Sequence, residues 1–570
     1  MDCDAVIVGA GPAGATAADV LANAGWSVML LEKGPNRLLS LDAPFPLLGH
    51  LSNDEIKFFR RHFLGPDPLL EPRTFRHRDD EGDRVHIGEV NNLPSGVGGG
   101  GFHADAKLPR FREVDFHARS EYGPIDGADV VDWPLEYDEL EPYYTVAEQL
   151  VGVAGDATAN PFASWRSGEY PMPPGADMYG AILTTNAASE LGLNPYRAPT
   201  GVNSVEYDGR PACNNCGFCG HFGCPIDAKG DPVAPLRRAL GTGRCEVVAN
   251  CYVDAVLVDG TGHTATGVRV IDTETGDTRE IRAKHVVLAA GAFETPRLML
   301  RSGVGNSSDL VGRYLMYHFQ TFVVGSFDHR LHGHRGRSVT HLHDDHLVPD
   351  ATSLQYARER GLPYFRGGIV EHGGGGHPVM EGMFLPHGVA HTQGMLESMM
   401  RDKLWAFTMQ GEDVPQGQNR VDLDPQVRDV HGRAAGRVTY DPHAHDLVAS
   451  EYAAEILNRV MRQAGAQFTF TATSPPLPGS RGERYSPAPN SKHTMGTTRM
   501  GADARTSVFD PWQRSWDVPN LLCADSSVFP TSTGYGPTLT IVALAIRMAR
   551  ELAGLPRLTS QRPTPRASSH

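Results

Sequence analysis

The sequence predicts an α/β protein of two packed domains, the first of them Rossmann-like. Two observations carry that expectation. The chain opens with a strand, a glycine-rich turn, a helix and a second strand ending on an acid. Its 570 residues also exceed what one hydrophobic core comfortably organises.

In the opening unit, Ala5 to Val8 form a short apolar, β-rich run followed by Gly9-Ala-Gly11-Pro12-Ala13-Gly14. An alanine-rich helical stretch continues to about Ala24 and stops at Gly25. The second apolar run, Ser27 to Leu31, leads to Glu32 and Lys33. Gly9 permits the tight turn, Gly11 lets backbone approach a pyrophosphate, and Gly14 lets helix and strand pack closely. The helix N-terminus offers free N–H groups and the positive end of a dipole to phosphates. Glu32 stands where a carboxylate accepts hydrogen bonds from ribose hydroxyls.

Bulk properties exclude some classes of function. Hydrophobic content of 40% and charged content of 21% are ordinary for a globular protein. The formal net charge of -15 argues against nucleic acid or an anionic membrane surface as the main partner. No stretch approaches the roughly 20 apolar residues of a spanning helix. The start, MDCDAVIVGAG, runs straight into a strand without a basic n-region or cleavage site, so a cytoplasmic location is expected, with export on a partner's signal as the alternative.

Further segments follow in a set order. Gly96 to Gly101, including Gly98 and Gly99, is a second glycine-rich loop, continued by Phe102 and His103. Trp133-Pro134, Tyr143-Tyr144 and Glu148 come next, and then His285 to Gly305, in which Ala290 and Gly291 follow an apolar run. Glu412 to Pro415 and Asn419-Arg420-Val421 follow. The last block reads His493-Thr-Met-Gly496-Thr497-Thr-Arg499, then Asn520-Leu521, Asp525, Pro530-Thr531 and Pro537-Thr538. In order and spacing these segments resemble the glucose–methanol–choline (GMC) oxidoreductases along nearly the whole chain. Within that family the resemblance is to bacterial gluconate- and fructose-type sugar dehydrogenases and to pyranose oxidases.

The resemblance implies a Rossmann-like FAD-binding domain plus a substrate domain with an antiparallel sheet, as in p-hydroxybenzoate hydroxylase. It divides the chain into an FAD-binding part over 1–314 with a cysteine-rich insertion at about 210–230, a substrate-binding part over 315–475, and a return to the FAD-binding domain over 476–556. The Pro/Ser/Arg-rich tail, 557–570, is expected to be disordered. FAD contacts are implied for Gly9, Gly11, Pro12, Ala13, Gly14, Glu32, Lys33, Gly98, Gly99, Gly101, Phe102, His103, Val253, Ala290, Gly291, Asp525 and Thr538. His103 stands where a contact to the flavin, or an attachment to it, would be made.

The implied activity is oxidation of an alcohol group of a sugar, glycoside or polyol by hydride transfer to flavin N5. His493 is the implied general base, a task for which an imidazole's pKa is suited. A helix beginning at Pro537 is implied to point its positive end at the flavin. One position departs from the family pattern. Where Asn or His normally precedes Pro-Thr, this chain has Gly536, which offers no side chain to hold the substrate hydroxyl. Another residue or a water must fill that role, with Tyr535 and a histidine of the middle domain as the candidates by proximity. Oxygen, a quinone and a cytochrome or small subunit remain open as electron acceptors. Two rival readings are a lyase that keeps FAD as structure and an electron-transferring subunit without its own substrate.

Four of the eight cysteines, Cys213, Cys216, Cys219 and Cys224, have the spacing C-x2-C-x2-C-x4-C-P, one residue longer than a bacterial ferredoxin run. Soft thiolates suit iron–sulfur clusters or zinc. The resemblance to fructose- and gluconate-type dehydrogenases implies a [3Fe-4S] centre, while zinc, disulfides and unligated thiols stay open. The His- and Gly-rich stretch from 329 to 391, with His329, His332, His334, His341, His343 and His346, reads as a solvated loop set rather than a metal site.

Overall fold

Strand β1 (Cys3–Val8) is buried along nearly its whole length, as an unbroken apolar run requires of a strand covered on both faces. It lies between β2 (Val28–Leu31) and β9 (Thr278–Leu288) and runs parallel to both. Outside β2 lies β6 (Cys245–Val248), also parallel. The C-terminal half of β9 takes a second parallel neighbour, β17 (Leu521–Cys523). Its N-terminal half pairs antiparallel with β8 (Ala265–Asp272), which pairs with β7 (Cys251–Val258). These strands make one 7-stranded sheet. The computed structural model describes residues 1–36, 67–80, 84–88, 90, 93–217, 219, 223–230, 232–373, 387–397, 402–474, 489 and 491–562.

Five more helices matter to the cavity besides α1 (Pro12–Asn23), which follows the first glycine turn, and the single turn and a half of α2 (Gly99–His103). They are α3 (Tyr137–Val151), α4 (Tyr179–Glu190), α5 (Gly291–Ser302), α6 (Ala444–Gln463) and α7 (Thr538–Leu552). Helix α7 packs on α1 through small residues, Ala545 and Ala549 sharing a core with Ala13, Ala17 and Leu21. Burying a side chain such as Leu21 fully contributes about 1.5–3 kcal/mol. The close approach of α1 to β1 rests on Gly14, where a Cβ would fall 1.9 Å from the Gly9 carbonyl oxygen.

A second sheet of 6 strands is antiparallel throughout and runs β16 (Phe468–Ser474), β10 (His318–Ser326), β13 (Leu404–Glu412), β12 (Gly368–Gly373), β11 (Val339–His343) and β5 (Tyr196–Arg197). Period-two alternation separates its faces. Val323, Val370 and Phe407 point into a core shared with α4 and α6. Gln320, Phe322, Ile369, Glu371, Thr408 and Gln410 point the other way and roof a cavity against the first sheet.

The strands divide between the sheets less cleanly than boundaries at 314 and 475 suggest. Strand β5 comes from the N-terminal part. Strands β14 (Arg420–Arg428) and β15 (Ala434–Thr439) leave the second sheet to join β3 (Arg73–Arg76) and β4 (Arg84–Gly88) in a third, 4-stranded sheet. The stretch 329–391 is also more than a solvated loop set. His341 and His343 sit on β11, and His343 Nδ1 lies 2.7 Å from Nε2 of the buried His372. Residues 374–386 of that stretch lie outside the described residues.

The start of the expected disordered tail is packed: Leu558 N donates to Tyr143 Oη at 3.2 Å, and Arg557 stacks on Trp512 with 4.0 Å between guanidinium and ring centre. Residues 563–570 lie outside the described residues. Among the described residues no helix is long and apolar enough to cross a membrane.

Candidate active site

A cavity of about 640 Å³ runs from the first glycine turn to the underside of the second sheet. Its first end is backbone. Gly9 has φ +107°, and a Cβ there would lie 2.4 Å from the Ala289 carbonyl oxygen, so the β1–α1 turn admits glycine alone. Gly11 faces open space, with nothing within 4 Å of a Cβ built on it. Helices α1 and α7 carry no side-chain cap and no acid in the first turn, and the residues at their starts, Pro12, Ala13, Pro537 and Thr538, line the cavity. Two sets of unspent N–H groups therefore face it, each suited to negative charge.

Glu32 lines the same end. Its carboxylate accepts from Ala10 N at 3.1 Å, Gly34 N at 2.9 Å and Gly96 N at 3.1 Å. A carboxylate offers roughly four lone-pair sites, so one remains for a ligand hydroxyl. Lys33 stands at the rim in an ion cluster, 2.7 Å from Glu71 and 3.7 Å from Glu294. Val253, Ala290 and Gly291 complete that wall. Asp525 braces it: its Oδ2 accepts from Gly291 N at 2.8 Å and Thr295 Oγ1 at 2.7 Å. An FAD fits these residues. The open face of Gly11 and the uncapped start of α1 suit its anionic groups, and Glu32 suits its ribose.

The second glycine loop lies along the middle of the cavity. Gly99, Gly101 and His103 line it. Gly98, Phe102 and Gly14 do not line it, contrary to the expectation that they touch the cofactor. Gly98 N donates to Ala10 O at 2.9 Å and ties this loop to the first turn, while Phe102 is buried in the core behind it. Lys229 holds the loop's far end, its Nζ donating to the carbonyls of Phe102 at 2.8 Å and Ala104 at 2.6 Å.

At the other end stands His493. Its Nδ1 lies 2.9 Å from Nδ1 of His318, the first residue of β10, with the rings edge to face. Burial, His318, Lys107 and Lys492 hold the His493 imidazole well below its ordinary pKa. Burial likewise lowers His318 to about 4. The turn after His493 is fixed by Gly496, at φ +72°, where a Cβ would meet the Tyr314 carbonyl oxygen at 2.0 Å. Met495 and Met316 exchange backbone hydrogen bonds of 2.9 and 3.0 Å, which set His493 beside His318. Trp133 Nε1 donates to Thr531 Oγ1 at 2.8 Å, and Tyr144 pairs with Thr540 at 2.7 Å, anchoring the segment that carries Gly536 and Thr538.

Gly536 lines the cavity; Tyr535 does not. Tyr535 turns away into a buried ionic network, donating to Asp344 and accepting from Arg112 Nε at 2.8 Å. Burial and Asp344 push its hydroxyl well above the ordinary range, so it stays protonated. It cannot be the substitute for the missing side chain. The histidine of the middle domain that reaches this end is His318, and it supports His493 rather than lining the cavity.

Charge gathers where motifs gave no notice of it. Lys107, Lys492, Glu371, Gln410 and Gln320 line this end. Lys107 Nζ lies 2.6 Å from Glu371 and 3.4 Å from Asp105. Gln410 Nε2 donates to Glu371 at 3.3 Å and Gln320 Nε2 to Gln410 at 3.1 Å. Two carboxylates share one ammonium, so Lys107 is held above its usual range, while burial raises Glu371. Lys492 is exposed, its side chain opening into the cavity, and partial loss of hydration there lowers it to about 8.

The four clustered cysteines are not assembled for metal. Among the described residues no three His, Cys, Asp or Glu side chains form a metal-holding group. Two of the sulfurs accept backbone N–H groups, Cys213 from Asn215 at 3.3 Å and Cys224 from Ala228 at 3.1 Å. Gly217, at φ +84°, presses this segment onto the His334 carbonyl.

Comparison with known proteins agrees with this architecture. Residues 183–320 and 415–545 match two family models described as GMC oxidoreductase, and residues 2–39 match one described as FAD binding domain. The chain is 30% identical over 562 residues to the 2-methyl-1,2-propanediol dehydrogenase of Mycolicibacterium austroafricanum, covering 95% of this chain and 94% of that protein. It is 28% identical over 591 residues to the gluconate 2-dehydrogenase flavoprotein of Pantoea cypripedii, covering 96% and 93%. Among solved structures, pyridoxine 4-oxidase from Mesorbium loti superposes with a TM-score of 0.61 at 18% identity, covering 96% of this chain and 99% of that one.

Proposed function

The chain belongs to the GMC oxidoreductase family, and from that premise we propose that it oxidises a hydroxyl of a sugar, glycoside or polyol with His493 as general base. As a member of that family it is an FAD-dependent enzyme acting on CH–OH groups. One observation carries the finer reading. A single cavity joins a backbone cradle suited to FAD with a half-buried, neutral histidine and a polar wall. The diol and sugar acid in the names of the two relatives point to the same substrate chemistry.

FAD, when bound, supplies the acceptor for the hydride of the alcohol carbon. The chain's own residues do the rest. The carbonyls of Ser532 and Thr533 and the Gln410 side chain face His318 and favour a proton on its ring. None of them closes to hydrogen-bond geometry at Nε2. A proton there makes His318 Nδ1 an acceptor and His493 Nδ1–H its donor, which leaves the His493 Nε2 lone pair for the substrate hydroxyl. Neutral at ordinary pH, His493 can take that proton as the alcohol is oxidised. The α7 N-terminus offers a positive dipole end to negative charge that develops beside it.

An anaerobic visible spectrum with a panel of sugars, glycosides and polyols tests the reading. Bleaching of the flavin bands by one of them is the expected result, and bands that none bleaches overturn it. Reoxidation of the bleached protein in air, compared with a quinone and a cytochrome, identifies the electron acceptor.

A further inference from the structure

We infer that Lys107 and Glu371 form a subsite for a second hydroxyl of the substrate, adjacent to the one presented to His493, and that the enzyme therefore selects vicinal diols over isolated alcohols. The inference rests on the alcohol-oxidising reading above and names its substrate class more narrowly.

The first ground is the gap at Gly536. A Cβ there would lie 3.8 Å from His493 Cε1 and 3.8 Å from the Lys107 carbonyl oxygen, with nothing nearer. The space left by the missing side chain is thus bordered by the base and by the residue whose ammonium reaches across the cavity wall. The second ground is hydrogen-bond capacity. An ammonium has three N–H donors, and Glu371 and Asp105 take two of them. The Glu371 carboxylate, with roughly four lone-pair sites, receives Lys107 and Gln410. A donor and an acceptor therefore stay open side by side, and a hydroxyl is the group that satisfies both.

The third ground is cost. Glu371 is 6% exposed and sits on a strand whose other cavity-facing residue is Ile369, with Leu342 and Phe322 on the neighbouring wall. A charged pair in such a wall loses hydration that its own attraction does not fully return, whereas a polar ligand restores it. Charge balance fixes the ligand's sign. Lys107 and Lys492 are matched by Asp105 and Glu371, so this end of the cavity suits a neutral polyol better than a carboxylate or an amine.

The test uses the flavin-loaded protein and two probes, 1,2-propanediol and 1-propanol, in anaerobic stopped-flow. Wild type is expected to be bleached by the diol with an apparent Kd about tenfold below that of 1-propanol, the worth of one hydrogen bond to a charged group. In Glu371→Gln and Lys107→Met, read on the flavin-loaded fraction, the ratio of the two affinities should fall to about one, whatever the change in the 1-propanol value itself. Pinacol supplies a readout free of turnover, since it has two adjacent hydroxyls and no carbinol hydrogen. It should perturb the oxidised flavin spectrum of wild type and not of either variant. A diol preference, or a pinacol perturbation, that persists in both variants overturns the subsite. Equal affinity of wild type for the two alcohols also overturns it, whereas bleaching by no alcohol at all overturns the functional reading instead.

Discussion

The two ends of the cavity are built by different means. The cofactor end is made of backbone: glycine turns, the start of α1 and one acid that holds three N–H groups. The substrate end is made of side chains brought from β10, β12, β13 and the segments around Lys107 and His493. Backbone recognition demands glycine at fixed spacing, since a Cβ at Gly9 or Gly14 collides with main chain. Side-chain recognition demands only that alternate residues of distant strands face one way, and it can change while the fold stays.

The contrast can be broken most severely at the glycines. Gly14→Val puts side-chain atoms where a Cβ alone would lie 1.9 Å from the Gly9 carbonyl, and soluble protein should be lost. A Cβ at Gly11 meets no protein atom within 4 Å, so Gly11→Val should give folded apoprotein, and a normal circular dichroism spectrum without flavin absorbance separates folding from binding. A full flavin complement in that variant would undo the pyrophosphate argument.

At the substrate end, His493→Ala should keep its flavin and lose flavin reduction by on the order of 10²-fold or more, measured by stopped-flow. An unchanged rate removes His493 from the chemistry. Tyr535→Phe should act on stability and hardly on rate. It leaves the Arg112–Asp344 pair without its shared hydroxyl, at about 1–3 kcal/mol in a denaturant titration. A large fall in rate at full stability would return Tyr535 to the active site.

The smallest effect is on pH. Catalysis needs neutral His493, whose pKa is depressed by burial, His318, Lys107 and Lys492. The acid limb of kcat/KM should therefore lie below pH 6.5, the ordinary histidine value. Removing a neighbouring cation makes the imidazolium easier to form, so Lys492→Met should move that limb to higher pH. A limb that stays in place shows that Lys492 does not act on His493.

What was legible in the sequence follows the same division. The β1–α1–β2 unit, Gly99, Gly101, Asp525, Thr538 and His493 do meet around one cavity, because each belongs to a local segment whose geometry its neighbours dictate. Nearness in sequence does not bring Tyr535 to the cavity, because successive residues of the irregular segment before α7 face opposite ways. His318, Lys107, Glu371, Gln410 and Lys492 carry no motif. Only the pairing of β10 with β13 and of β13 with β12 puts His318, Gln410 and Glu371 near one another. The cysteine spacing is a strong local signal, but among the described residues the loop does not gather three of the side chains into one metal-holding group.

The pairing of β17 with β9 and the packing of α7 on α1 carry a consequence for the order of assembly in the cell. Residues 521–552 emerge from the ribosome long after residues 3–31, yet they supply a strand of the same sheet and one of the two helix starts facing the cavity. At translation speeds of about 5–20 residues per second, the N-terminal glycine turn waits tens of seconds for its far wall. Until residues 521–552 have been made, the cavity lacks the wall that α7 supplies, and a stop within α7 removes that wall for good.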